Sequence, residues 1–324
     1  MTSNALTRGR EYVPLLVTSI LLVSMFGVGS VQYDGFFSGQ VLLNLLIDNA
    51  FLLVVAVGMT FVVLTGGIDL SVGAMVALST MISAWLVEGH GWPPLLVIPL
   101  VLVVGTGSGF VMGWVIHSFE IQPFIVTLAG MFLARGLCYT ISIDSISITD
   151  PTYTAFAQTR IPLSADLFVS PSVLIAVGVL AIAFVVLHYT RLGRNVYALG
   201  GSEQSALLMG LPVARTKIAV YAISGFCSAL GGVLLTFYML SGYGLHAVGL
   251  ELDAIAAVVI GGTLLTGGSG YLLGTVLGVL VLGLIQTVIS FQGTLSSWWT
   301  RIVIGCLLFV FILLQRLITG RRKV

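Results

Sequence analysis

Charge is what this sequence has least of. Only 8% of its 324 residues are charged, whereas a soluble domain usually carries about 25%. Hydrophobic residues make up 58%, and a soluble fold of this length could not bury so much apolar surface. The net charge of +1 leaves no basic patch for phosphates, so we expect no nucleic-acid partner. The composition predicts an integral membrane protein surrounded by lipid.

Catalytic and metal-binding motifs are also missing. The sequence contains no HExxH, GxSxG or CxxC motif, and it has no GxxxxGK[ST] loop to hold the phosphates of ATP. The three cysteines, Cys138, Cys227 and Cys306, lie inside apolar runs and are interpreted as small hydrophobic residues. We therefore predict a protein that is not an enzyme and that holds neither a metal nor a cofactor.

Long apolar runs are what the sequence has in excess. A helix that crosses a bilayer needs about 20 apolar residues, and this length predicts ten spans. They cover approximately 13–32, 41–64, 68–87, 95–117, 121–142, 171–190, 216–240, 253–266, 270–292 and 298–317. The eighth is short enough to be a broken or partly inserted helix. We expect an all-α, polytopic membrane protein with about ten transmembrane helices in one transmembrane domain over residues 1–324.

The distribution of Lys and Arg predicts the orientation. In membrane proteins, the short loops on the cytoplasmic side carry an excess of Lys and Arg. They cluster in this chain at both ends and between spans six and seven, namely at Arg8, Arg10, Arg191, Arg194, Arg215, Lys217, Arg316, Arg321, Arg322 and Lys323. Ten spans place all three clusters on one side. We therefore expect cytoplasmic termini, a periplasmic loop at 143–170 and a cytoplasmic loop at 191–215. A cleaved signal peptide in place of the first span would break this pattern.

Asp48 and Arg135 are the charged residues that lie farthest from the ends of their predicted spans, where a charge is costly. Asp48, next to Asn49, lies about 9 Å from the outer end of span two, and Arg135 lies about 10 Å from the outer end of span five, at 1.5 Å per residue. The matching depths predict that Asp48 and Arg135 pair or share a polar ligand. The alternative is an ion pair that only fixes the helix register.

The stretch "LTGGIDLSVG" (64–73) interrupts two apolar runs with a carboxylate. Gly66 and Gly67 are expected to end span two, and Asp69 is expected to cap the next helix by accepting from the amides near Ser71 and Val72. A role of this turn in a gate is the alternative. The letters "LTGG" recur at 265–268, which is consistent with duplicated halves.

Two further charges lie at the predicted outer ends of spans eight and ten. Asp253 either caps its helix or lines an entrance. Arg301 follows Trp298 and Trp299, a setting that suits a side chain reaching to the membrane interface. Our candidates for a translocation pathway are Asp48, Asn49, Asp69, Arg135, Asp253 and Arg301.

The inner loop contains a second functional candidate. Residues 200–211, "GGSEQSALLMGL", predict a short amphipathic helix that Ser202 caps and that Gly210 ends. Ala206, Leu207 and Met209 would form a small apolar face that fits a groove on a partner protein. The alternative is a helix that lies on the membrane.

Four segments of the chain resemble a known family. They are "VGMTFVVLTGGIDLSVG" (57–73), "PFIVTLAGMFLARG" (123–136), "LGRNVYALGGSEQSALLMGL" (192–211) and "ELDAIAAVVIGGTLLTGGSGYLLGTVLG" (251–278). The chain resembles the permease subunits of bacterial ribose-type ABC importers, within the ribose and branched-chain amino acid permease superfamily. The segments "VGLELDAIAAVVIGGTLLTGG" (248–268) and "FQGTLSSWWTRI" (291–302) are similar to galactofuranose permeases.

This resemblance implies an inner-membrane permease domain that imports a monosaccharide, with galactofuranose or a related sugar as the expected cargo. It implies three partners: a cytoplasmic ABC ATPase, a second permease chain (identical or homologous) and a periplasmic sugar-binding protein. The loop 191–215 would be the coupling loop. Its matching residues are Arg194, Gly200, Gly201, Ser202, Glu203, Ala206, Met209 and Gly210. A secondary carrier or channel that works alone is the alternative function.

Overall fold

The computed structural model describes residues 13–164, 166–294, 296 and 298–320, most of them helical. The helices are α1 (Val13–Gln32), α2 (Gly39–Asp48), α3 (Ala50–Leu64), α4 (Val72–Ala84, continued by a π-helical turn over Trp85–Gly89), α5 (Pro94–Ser118), α6 (Pro123–Ile141), α7 (Pro151–Gln158), α8 (Pro171–Tyr189), α9 (Arg191–Gly201), α10 (Glu203–Leu208), α11 (Val213–Met239), α12 (Leu250–Ile260), α13 (Leu272–Gln292) and α14 (Trp298–Gly320). Four of them begin at a proline, which is pre-shaped for the first helical position.

The prediction of a helical polytopic membrane protein is confirmed. Among the described residues, eight helices are long and apolar enough to cross a bilayer, or nine if one bent pair counts as a single span. The bent pair is α2 and α3, which meet at an angle of 59° at Asn49. The count of ten is not reproduced, because α12 has only 11 residues and is about 16 Å long at 1.5 Å per residue. Arg8, Arg10, Arg321, Arg322 and Lys323, on which the prediction of cytoplasmic termini partly rests, lie outside the described residues.

Four short strands accompany the helices in the part of the chain that the structure describes. Strand β1 (Ile146–Ser147) pairs with β4 (Ser241–Gly242), and β2 (Ile161–Ser164) pairs with β3 (Leu167–Val169), both antiparallel. Three of the four strands lie within the segment 143–170. The fold is therefore a helical bundle with one small β-hairpin, β2–β3, and one antiparallel pair, β1–β4, that joins this segment to the residues after α11.

Helix α11 is the centre of the bundle, and glycines let its neighbours approach closely. A Cβ at Gly105 of α5 would lie 2.3 Å from the Ala229 Cβ of α11, and a Cβ at Gly225 would lie 2.2 Å from the Gly105 carbonyl oxygen. Close backbone approach of this kind stabilises helix pairs in membranes, where burying apolar surface supplies no driving force.

The loop 241–249 and α12 together run the length of the bundle. Gly242 packs against Thr80, near the end of α4, whereas Glu251 packs against Gly73, at its beginning. The chain then continues to the end of α3, where the Gly268 amide donates to the Leu64 carbonyl at 2.9 Å. The predicted eighth span is thus the half-length helix α12, which follows a loop made mostly of turns.

Candidate functional site

Asp69 lies in the core between α3, α4 and α11. Its carboxylate accepts from the Ser71 amide at 2.9 Å, from the Ser71 hydroxyl at 2.6 Å and from the Ser224 hydroxyl at 2.7 Å. The predicted contact of Asp69 with the Ser71 amide is confirmed, but the N-cap residue of α4 is Ser71 and not Asp69. The side chain is 0% exposed, so Asp69 ties α4 to α11 inside a single chain.

The predicted pairing of Asp48 with Arg135 is wrong. The Asp48 carboxylate accepts from the Tyr238 hydroxyl at 3.2 Å. The Arg135 guanidinium donates to the Gly244 and His246 carbonyls at 2.5 and 2.7 Å. Equal depth was not sufficient, because α2 packs beside α13 and α8 whereas α6 packs beside α4 and α5.

Asp253 and Arg301 form an ion pair that the sequence did not predict. Arg301 Nη1 donates to both carboxylate oxygens of Asp253, at 2.8 and 2.9 Å, and Nη2 reaches the Val248 carbonyl at 3.3 Å. The pair joins the first turns of α12 and α14. The position of Arg301 in the sequence predicted only a side chain at the membrane interface, whereas the fold pairs it with Asp253.

Four of the six pathway candidates border two adjoining clefts. One cleft, of about 500 Å³, is lined by Asp48 and Asn49, and the other, of about 380 Å³, by Asn49, Asp253 and Arg301. Gln286 and Ser290 of α13 border both clefts. Asp69 and Arg135 border neither of them.

Sequence reasoning missed several polar residues of the larger cleft, namely Asn44, Tyr238, Gln286, Thr287 and Ser290. A signal was present in the sequence. Gln40, Asn44 and Asp48 are spaced four residues apart, and so are Gln286 and Ser290, a spacing that places polar groups on one helix face.

The inner loop forms the short helix that was predicted. The Ser202 hydroxyl caps α10 by accepting from the Ser205 amide at 3.2 Å, and Gly210 ends the turn with a positive φ of 73°. The prediction of its apolar face needs one correction. Ala206 is 1% exposed and packs on Leu199 and Val213 of its own chain, so it does not face a partner.

Three apolar side chains of this loop point outward. Leu207, Leu208 and Met209 are 62%, 87% and 66% exposed. Glu203, which begins α10, pairs with Lys217 of α11 at 2.6 Å. The sequence placed Ala206 on this surface, whereas the structure places Leu208 there.

The helix α9 anchors the inner loop to two turns that contain paired glycines, 64–67 and 265–268, which we call the glycine turns. A Cβ at Gly200 would lie 1.9 Å from the Leu64 carbonyl oxygen, whereas one at Gly201 would meet nothing within 4 Å. The Tyr197 hydroxyl donates to the Gly270 carbonyl at 3.0 Å, and burial raises the pKa of Tyr197, which keeps it a neutral donor. Arg194, on the same helix, is exposed. The exposed side chains of α10 are therefore carried by a loop that α9 fixes to the membrane helices.

Comparisons with known proteins agree with this architecture. Residues 41–312 match the family described as the branched-chain amino acid transport system / permease component. The chain is 47% identical, over 96% of its length and 94% of the relative's, to the inner membrane ABC transporter permease protein YjfF of Escherichia coli (strain K12). No solved structure matches the chain.

Two further relatives carry a sugar in their names. The chain is 42% identical to the fructose import permease protein FruG of Bifidobacterium longum, over 95% of the chain and 92% of the relative. It is 38% identical to the ribose import permease protein RbsC of Haemophilus influenzae, over 91% and 90%. The chain therefore belongs to the branched-chain amino acid transport system permease component family and is a multi-pass membrane permease subunit, not an enzyme.

Proposed function

We propose that this chain is the transmembrane permease subunit of an ABC importer that carries a monosaccharide across the bacterial inner membrane. The observation that carries the proposal is the surface formed by Leu207, Leu208 and Met209, which is exposed on a short helix held to the membrane bundle. The names of the relatives YjfF, FruG and RbsC support the transporter class and the sugar.

The coupling loop 191–215 is the proposed docking point of a separate ATPase. Fully burying one leucine side chain contributes roughly 1.5–3 kcal/mol of favourable free energy. Burial of these three exposed apolar side chains in a groove of the ATPase can therefore stabilise the complex. In this proposal Arg194, Gly200, Gly201, Ser202, Glu203 and Gly210 shape the loop, and Met209 contacts the ATPase directly. Ala206 supports the loop from inside. Movement of the docked ATPase is passed to the glycine turns through Gly200.

Galactofuranose or a related sugar is the proposed cargo, delivered by a periplasmic binding protein. Support comes from the resemblance of 248–268 and 291–302 to galactofuranose permeases, while relatives named for fructose and ribose show that the family serves several sugars. A second permease chain, identical or homologous, is proposed to complete the pathway. In this arrangement 143–170 faces the periplasm and both termini face the cytoplasm.

A substitution of Leu208 tests the docking surface. We expect Leu208→Ser to lower ATP-dependent sugar uptake at least about tenfold, which corresponds to about 1.4 kcal/mol. The control is Leu163→Ser, which removes a leucine that is 60% exposed in the outer loop and should leave uptake unchanged. Normal uptake by Leu208→Ser at an equal amount of folded protein would overturn the docking assignment.

A further inference from the structure

Two helices that border the larger cleft, α2 and α13, each carry a polar stripe. On α2, Gln40, Asn44 and Asp48 follow each other at intervals of four residues, and the Gln40 amide donates to the Asn44 side-chain oxygen at 2.8 Å. On α13, Gln286 and Ser290 have the same spacing. Apart from Thr287, the residues between these positions are apolar, so the stripes need an explanation.

Hydrocarbon does not suit these side chains. Asn44, Asp48, Gln286 and Ser290 are all exposed in the isolated chain, and a carboxylate in the bilayer costs at least about 2.5–3.5 kcal/mol. The polar face must therefore meet water, a ligand or another protein chain. The concave shape of the cleft, about 500 Å³, lies within the range of roughly 300–1,000 Å³ that small-molecule sites occupy.

Several hydrogen-bonding groups in the cleft are available to a ligand. Asp48 uses Oδ1 to accept from the Tyr238 hydroxyl, which leaves Oδ2 to accept from a second donor. Asn44 uses its oxygen, which leaves its side-chain NH₂ to donate. Within the described part of the chain, the Gln286 side chain takes part in no hydrogen bond, so its amide can both donate and accept.

Aromatic rings complete the lining. Phe51, Phe291 and the ring of Tyr238 border the same cleft and offer apolar faces to the C–H groups of a ligand. Alternating hydroxyl and C–H surfaces are the chemistry of a monosaccharide. Amide and carboxylate groups match its hydroxyls, because each hydroxyl both donates and accepts.

The charges of the region favour a neutral ligand. Asp48 contributes one negative charge, and Arg301, the one cation among the described residues that line the neighbouring cleft, is already paired with Asp253. A phosphorylated sugar would meet an unpaired carboxylate and no free cation among the lining residues.

We propose that the cleft between α2, α11 and α13 binds a neutral, unphosphorylated monosaccharide, with Asn44, Asp48 and Gln286 hydrogen-bonding to its hydroxyls. This inference rests on the proposed function and names the ligand site for that function. It places the cargo at the kink between α2 and α3, where Asn49 packs against Gly283.

Labelling of single cysteines tests the site in the assembled transporter. In a Cys306→Ala background the two remaining cysteines, Cys138 and Cys227, are buried. Asn44→Cys and Gln286→Cys are expected to react with a charged, membrane-impermeant thiol reagent, because only a thiol in contact with water forms the reactive thiolate. Leu42→Cys is the matched control, since Leu42 is exposed on α2 outside the cleft and should not react.

Sugar protection and uptake complete the test. Galactose, ribose, fructose and galactofuranose are added one at a time during labelling, and at least one should slow the reaction of both cysteines fivefold or more. Gln286→Met should lower ATP-dependent uptake of that sugar at least tenfold.

Unreactive cysteines would assign the polar face to a second chain and overturn the inference, as would labelling without protection together with normal uptake by Gln286→Met. Protection by a sugar that the wild-type transporter moves without ATP would support the site while refuting the proposed importer.

Discussion

The Gly268 amide donates a 2.9 Å hydrogen bond to the Leu64 carbonyl and so joins the two "LTGG" turns of the sequence. A Cβ at Gly267 would lie 2.6 Å from the Gly66 amide nitrogen, so the two turns meet backbone to backbone. The helix that carries the inner loop packs on the same point through Gly200. This junction connects the proposed docking surface to the end of α3 and to the turn that follows α12.

The two neighbouring glycines of α9 should respond differently to alanine. At Gly200 the added methyl group would lie 1.9 Å from the Leu64 oxygen, whereas at Gly201 it meets nothing within 4 Å. Overpacking of this kind typically costs about 1–3 kcal/mol. We expect Gly200→Ala to lower the thermal unfolding temperature of the detergent-purified protein and Gly201→Ala to leave it within error of the wild type. Equal unfolding temperatures for the two variants would contradict the packing of the junction.

Removal of the Ser224 hydroxyl should destabilise the protein, because this hydroxyl donates a hydrogen bond to the Asp69 carboxylate. A hydrogen bond to a charged group contributes about 1.5–3 kcal/mol, and Asp69 is fully buried, so Ser224→Ala is expected to destabilise the protein by about that amount. Ser228→Ala is the control, because Ser228 is also buried but donates only to the Ser224 carbonyl of its own helix, at 2.8 Å. Thermal or denaturant unfolding of both variants measures the difference. A larger loss for Ser228→Ala would refute the assigned role of Ser224.

Replacement of Arg135 should loosen the loop 241–249. Its guanidinium donates to the Gly244 and His246 carbonyls, and Arg135→Met keeps the apolar part of the side chain while leaving both carbonyls without this donor. We expect faster amide hydrogen exchange in 241–249. The control is Arg160→Met, because Arg160 is exposed and stacks over the Phe168 ring at 4.6 Å. Unchanged exchange in Arg135→Met would show that other contacts hold the loop.

Local patterns predicted much of this fold. Apolar length placed α1, α5, α6, α8 and α13 to within three residues at each end, and cap chemistry predicted both the Asp69–Ser71 contact and the helix after Ser202. These features could be predicted because the apolar length of a helix and its capping residues depend on residues that are neighbours in the sequence.

Partners in three dimensions could not be predicted in this way. Asp48 and Arg135 have equal predicted depth on helices that pack mainly against different neighbours, while Asp253 and Arg301 meet across 48 residues of sequence. The orientation of Ala206 depends on Leu199 and Val213, which only the packed loop brings together. The polar stripe of α2 could be recognised from its four-residue spacing. That it lines the same cleft as the polar residues of α13 is visible only in the folded structure.

Transport by the reconstituted complex tests the central claim, that a partner ATPase docked on Leu207, Leu208 and Met209 drives this chain. The chain is placed in proteoliposomes with and without its ATPase and sugar-binding protein, and uptake of radiolabelled sugar is followed after addition of ATP. The account predicts uptake only when the ATPase, the binding protein and ATP are all present, and its loss in Leu208→Ser. Sugar accumulation by the chain without the ATPase, or full ATP-driven uptake by Leu208→Ser, would contradict it.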